Sequence, residues 1–100
     1  MRHYEAMYIL DPALTEEQVP PIIERYSKVV TDMGGEVSDA SLWEGGRRPL
    51  AYTIAGRREG IYVLMQFVAG KDVPAELDRL FKISDNVLRH IVVRPDPDEE

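Results

Sequence analysis

His3 and His90 are the only histidines in the chain, and neither has a serine and a carboxylate at a spacing that would make a nucleophile and its base. With no cysteine, thiolate metal sites, iron–sulfur clusters, disulfides and cysteine nucleophiles are excluded. No glycine-rich loop has the spacing that cradles a phosphate, and no zinc signature occurs. The carboxylates are scattered. Glu16, Glu17 and Glu24 fall early in a helical segment, where the helix dipole favours negative charge, and that accounts for them. The residue types therefore predict no catalytic residue, no metal and no cofactor; the chain reads as a binding protein rather than an enzyme.

Basic groups are what remains. Arg2 and His3 open the chain, and Arg94 closes the last regular segment. Lys82 and Arg89 flank the turn that precedes that segment. Such cations can hold phosphates without reading base sequence; the competing role is a solvated charged edge that discourages strand-to-strand aggregation. Arg47 and Arg48 stand beside Leu42, Trp43, Pro49 and Leu50. Exposed arginines next to a tryptophan suit a protein interface, and they suit edge protection equally well. Arg57 and Arg58 are most simply solvated at a hairpin tip.

The elements that must position these residues follow from hydrophobic periodicity. Residues 3–10 are rich in aromatic and branched side chains and predict a strand that Asp11-Pro12 ends. Its two sides are both apolar, with Met7 and Ile9 on one and Tyr4, Ala6, Tyr8 and Leu10 on the other. Residues 15–33 predict a helix with an apolar stripe of Val19, Ile22, Ile23, Tyr26, Val29, Val30 and Met33. Thr15 and Gln18 match a capping box, while Pro20-Pro21 argue that regular helix begins near Val19. Gly34-Gly35 stop it. Residues 36–55 are extended with a break at Gly45-Gly46, and residues 61–68 form a strong strand. The stretch from Gly56 to Gly60 reads as the loop between them. With that loop, residue 48 pairs with 68, and residues 36–44 become an unpaired arm that exposes Leu42 and Trp43. Asp72 caps a second helix with Pro74 in its first turn and Val73, Leu77, Leu80 and Phe81 buried. Residues 84–86 turn, and 87–94 are the last strand.

The order βαββαβ, with right-handed crossovers, predicts an α+β fold of the ferredoxin-like type: a four-stranded antiparallel sheet in the order 4-1-3-2 with two helices on one face. The other face, apolar and bare, calls for a partner. With 100 residues, 44% of them hydrophobic, the chain fits one domain, residues 1–94, with little volume left for a deep pocket. The net charge is −6. Residues 95–100 carry four negative charges and no positive one, so −6 + 4 = −2 remains for residues 1–94. That short acidic tail is expected to be disordered. No apolar run approaches the roughly 20 residues of a membrane span, and the start lacks a signal-peptide pattern, so a cytoplasmic location is expected. The fold is shared by small-molecule-sensing regulatory dimers and by acylphosphatase-like hydrolases. The latter need a basic phosphate loop, and the first turn, Asp11-Pro12-Ala13-Leu14, has none.

The chain resembles the bacterial ribosomal small-subunit protein six family from Arg2 to Arg94. The resemblance rests on Arg2-His3-Tyr4-Glu5, Ile9-Leu10-Asp11-Pro12, Gly34-Gly35, the block from Trp43 to Ile54, Gly60-Ile61-Tyr62-Val63 and Asp85-Asn86-Val87-Leu88-Arg89. Its most specific part is Gly46-Arg47-Arg48 followed by Leu50-Ala51-Tyr52 and Ile54. Pro49 stands where a polar or charged residue is usual in the family. The resemblance implies the ferredoxin-like fold and a place on the central domain of small-subunit ribosomal RNA, as a heterodimer with small-subunit ribosomal protein eighteen. It implies Arg2, His3, Lys82, Arg89 and Arg94 toward RNA and Leu42, Trp43, Arg47, Arg48 and Leu50 toward the protein partner. Isolated, the chain is expected to be a monomer.

Overall fold

Alternation along the first strand sets the whole architecture. In β1 (Arg2–Leu10), Tyr4, Ala6, Tyr8 and Leu10 are buried while Met7 and Ile9 are half-buried on the opposite side. The structure, a computed structural model, describes residues 1–95. All but the first residue of the acidic tail expected at 95–100 therefore lies outside the described residues.

A short turn leads from β1 to α1 (Val19–Asp32). The Thr15 N–H donates to Gln18 Oε1 at 2.8 Å, and the Gln18 N–H donates to the Thr15 carbonyl at 3.0 Å. Half of the expected capping box thus forms, one turn ahead of the regular helix. Pro20 and Pro21 fall in the first turn, where no intrahelical N–H is lost. Val19, Ile22, Tyr26 and Val30 are buried, with Ile23 and Val29 packed against them. Met33, expected on that stripe, is instead 42% exposed because the helix ends one residue before it. The Gly35 N–H donates to the Val30 carbonyl at 2.9 Å and turns the chain back to the sheet.

β2 (Glu36–Ile54) and β3 (Arg57–Ala69) form a long antiparallel hairpin. Its tip is Ala55-Gly56, not the expected loop from Gly56 to Gly60. Ile54 pairs with Arg57, and both turn residues have positive φ, 51° and 80°. Two consecutive left-handed residues make the tight turn whose twist matches the flanking strands. The shorter turn moves the register. Glu36 pairs with Val68, Ala40 with Met65 and Leu42 with Val63, so the segment expected to be an unpaired arm is part of the sheet. The break at the glycines survives as a bulge. Pairing jumps from Leu42↔Val63 to Arg47↔Ile61, leaving residues 43–46 opposite Tyr62 alone. Glu44, Gly45 and Gly46 take positive φ there, a conformation that costs a side-chain residue about 1–2 kcal/mol and glycine nearly nothing. Pro49 remains in the ladder opposite Glu59, tolerated because β2 is an edge.

α2 (Asp72–Ile83) buries Val73, Leu77 and Phe81. Asp72 makes no capping hydrogen bond; it lies inside the first turn, where its charge still favours the helix dipole. β4 (Val87–Val93) completes the sheet, in the order β2-β3-β1-β4. That is the expected 4-1-3-2 order, with both helices on one face. The core closes around Tyr8, Tyr26 and Phe81, whose ring centroids lie 4.6–5.2 Å apart. Burial pushes the Tyr8 phenol well above its ordinary range, and its hydroxyl has no hydrogen-bond partner among the described residues. No helix among the described residues is long and apolar enough to cross a membrane.

Candidate nucleic-acid interface

Arg2, His3, Lys82, Arg89 and Arg94 fall along or next to the edge formed by β4. β1 and β4 run antiparallel, with Glu5 opposite Val93 and Ile9 opposite Arg89. Arg94 follows Val93 directly, beside the exposed start of β1 that carries Arg2 and His3. Arg89 lies five residues back along the edge, roughly 17 Å at about 3.4 Å per residue. Lys82 projects from the last turn of α2, next to the same edge.

The side chains on this edge differ in how they are held. Lys82 Nζ lies 3.0 Å from Asp78 Oδ2, and His90 Nε2 lies 2.7 Å from Asp78 Oδ1. The hydrogen bond to His90, and then that to Lys82, holds the Asp78 carboxyl below its ordinary range. His90 also packs its ring on Phe81, with centroids 5.1 Å apart. It is a satisfied strand residue linking β4 to α2, well removed from His3, whose neighbour on β3 is Val68. Arg89 points to the other face. Among the described residues it makes no ion pair; its guanidinium lies over the ring of Tyr52, 5.4 Å from the centroid. Among the described residues no group of three or more His, Asp or Glu could hold a metal ion.

The residues expected at a protein partner collect at the bulge of β2. Leu42 is 44% exposed. Trp43 packs against Tyr62 at 5.8 Å and lies under Arg48, 5.2 Å from the guanidinium carbon. Arg48 is also paired with Glu44 at 2.9 Å. Arg47 reaches across to the β1–α1 turn and donates to the Pro12 and Leu14 carbonyls at 2.9 and 3.1 Å. It satisfies two backbone acceptors that the turn leaves over, so its first task is to tie β2 to that turn. Leu50 is half-buried further along the arm.

Three features were not singled out in the sequence. The first is an open groove of about 650 Å³ between α1 and the bulge, with Leu14, Val19, Ile23, Ala40, Leu42 and Ile61 on its walls and Glu16 and Glu24 among its polar groups. It exists because residues 43–46 leave the ladder, which no period in the sequence announces. The second is Arg57, expected to be solvated, which donates from Nε and Nη2 to the two carboxylate oxygens of Asp11 at 3.0 and 3.1 Å. The Arg57 hydrogen bond is the main reason the Asp11 carboxyl titrates below its ordinary range. The third is Tyr52, an aromatic ring 59% exposed near the hairpin tip.

Residues 3–94 match the family model described as ribosomal protein S6. The small ribosomal subunit protein bS6 of Desulforudis audaxviator is 47% identical over 96% of this chain and 100% of its own length. That of Carboxydothermus hydrogenoformans is 49% identical over 96% of this chain and 98% of its own. Among solved structures, 30S ribosomal protein S6 from Thermotoga maritima superposes with a TM-score of 0.88 at 26% identity, covering 98% of this chain and 91% of that one. A family model that spans nearly the whole chain, and relatives close to half identical over the same length, lead to one conclusion: the chain belongs to the ribosomal protein S6 family.

Proposed function

We propose that this chain is a structural constituent of the bacterial small ribosomal subunit, located in the cytoplasm as part of the ribosome, with no reaction to catalyse. It binds the central domain of small-subunit ribosomal RNA as a heterodimer with small-subunit ribosomal protein eighteen. Family membership supports the ribosomal role. The observation that carries the RNA reading is the row of cations along the β4 edge. Arg2 and Arg94, with His3 beside them, stand at one end of that edge and Arg89, with Lys82, toward the other, and such contacts orient a protein on RNA while RNA shape selects the site. The Lys82–Asp78 pair is exposed on both sides and of the weak kind, so a phosphate can replace the carboxylate.

The protein partner docks on the β2 side, against Leu42, Trp43, Arg47, Arg48 and Leu50. The groove under the bulge takes its apolar side chains, and Glu16 and Glu24 favour positive charge beside them. A basic partner also resolves the difficulty of an acidic chain, net charge −6, reaching RNA. Filter binding to a central-domain RNA fragment tests the reading. The pair is expected to bind much more tightly than the isolated chain, and Arg89→Ala in the pair to lower the salt slope by about 0.7–0.9. Trp43→Ala is expected to weaken the protein pair. Equal affinity of chain and pair, or an unchanged slope, would count against the assignment.

A further inference from the structure

The open face of the sheet carries a row of side chains that links Trp43 to Arg89. Trp43 packs on Tyr62, Tyr62 lies opposite Ile9, and Ile9 lies opposite Arg89. The row crosses all four strands. In its neighbour row Leu64, Met7 and Ile91 are apolar, with Ile91 57% exposed, and Ser41 ends the row on β2. Over the β4 end of the first row stands Tyr52, brought there by the hairpin arm. The arm extends beyond β1, since Leu10 already pairs with Ile61 while β3 begins at Arg57. The two-point contact of Arg57 with Asp11 fixes the arm to the end of β1.

Two facts set the Tyr52–Arg89 pair apart. Tyr52 is 59% exposed although it is a large aromatic side chain. Arg89 holds its charge against a ring with no ion pair among the described residues, whereas Arg48, which also lies over a ring, is paired with Glu44. An exposed ring beside a guanidinium without an ion pair combines the two elements that hold an unpaired nucleotide: a stacking surface for the base and a cation for the phosphate.

The geometry points to a nucleotide-stacking site at Tyr52 and Arg89, which takes an unpaired base of the RNA on the exposed face of the Tyr52 ring while Arg89 holds the adjoining phosphate. The inference rests on the RNA-binding reading and deepens it by naming the kind of nucleotide bound. A paired base in an A-form helix has both faces covered by its neighbours, so the site selects a bulged or looped-out one.

The test uses the full chain with its protein partner and the central-domain RNA fragment. Tyr52→Leu, at an exposed position, is expected to weaken RNA binding about 5- to 150-fold with no change in the salt slope, because stacking releases no counterions. Arg89→Ala lowers the slope. Tyr52→Phe keeps the ring and retains most of the affinity lost in Tyr52→Leu. A second measurement needs no destabilising change. In protein with isotope-labelled tyrosine rings, the Tyr52 ring signals, assigned by their loss in Tyr52→Phe, are expected to shift upfield when RNA is added to the pair. Undiminished RNA affinity in Tyr52→Leu, or unmoved Tyr52 ring signals on binding, would overturn the stacking site and leave the RNA-binding reading standing. Failure of the native pair to bind the RNA would sink both. Weakened protein pairing of Tyr52→Leu without RNA would place Tyr52 at the partner and overturn the inference.

Discussion

Asp11 accepts three hydrogen bonds on its two carboxylate oxygens. Oδ1 accepts from the Ala13 N–H at 2.9 Å, shaping the turn after β1, and both oxygens accept from Arg57. The carboxylate form is therefore favoured in the folded chain, and its pKa lies below the ordinary range. A carboxyl with a lowered folded-state pKa contributes stability above its unfolded pKa and loses it as pH falls through the folded one. Asp11→Asn keeps the turn acceptor and loses the charge. In urea unfolding between about pH 5 and about pH 2, the variant's midpoint is expected to fall less steeply than the native one, with a modest loss at neutral pH typical of an exposed pair. Parallel pH profiles would remove Asp11 from the acid response. The pair also marks how much of the site was legible in the sequence. That Arg2 and His3 lie beside Arg94 follows from strand order alone, since the start of β1 neighbours the end of antiparallel β4. Arg57 and Asp11 are 46 residues apart and meet only because the hairpin is longer than expected; Tyr52 was hidden for the same reason, since its exposure depends on where the turn falls.

Elements with one buried side were readable and the turn between them was not. The stripes of α1 and α2 and the alternation of β1 specify which face is covered, because a slip of one residue would move every apolar side chain of β1 to the wrong side and turn each helical stripe about 100° away from the core. β2 has no such alternation. Its apolar residues are sparse, its bulge absorbs four positions against one, and its turn depends on φ at Ala55, a residue that seldom takes a left-handed conformation. Gly60, which appeared to close a loop, is instead a buried strand residue. The strained alanine carries a prediction. At φ 51° an alanine costs about 1–2 kcal/mol more than a residue that accepts this region, and asparagine is favoured at this point of a type I′ turn. Ala55→Asn is expected to stabilise the fold by about 0.5–1 kcal/mol and raise the melting temperature by a few degrees. An unchanged or lower melting temperature would mean that the turn is formed differently.

At the scale of the whole molecule the chain has two sides with opposite needs. The β4 edge is cationic and faces RNA in the reading proposed here, and the β2 side suits a basic protein. Both sides share a chain of net charge −6, of which four units belong to residues 96–100. A charge block of this kind acts at a distance of about a Debye length, roughly 10 Å at 0.1 M salt and 3 Å at 1 M. It slows the approach of an anion and speeds that of a cation. Removing residues 96–100 takes the charge to −2 and separates the two effects. In stopped-flow measurements at low salt, the truncated chain in its preformed pair is expected to associate with the RNA fragment faster than the native pair does. The truncated chain alone is expected to associate with its basic protein partner more slowly. Both differences shrink toward zero at about 1 M salt, where the field is screened. Dissociation rates are expected to stay close to native values, since long-range charge acts mainly on the encounter. Equal association rates at low salt would show that the acidic residues do not steer either encounter. A change confined to dissociation would instead place them in direct contact with RNA or partner.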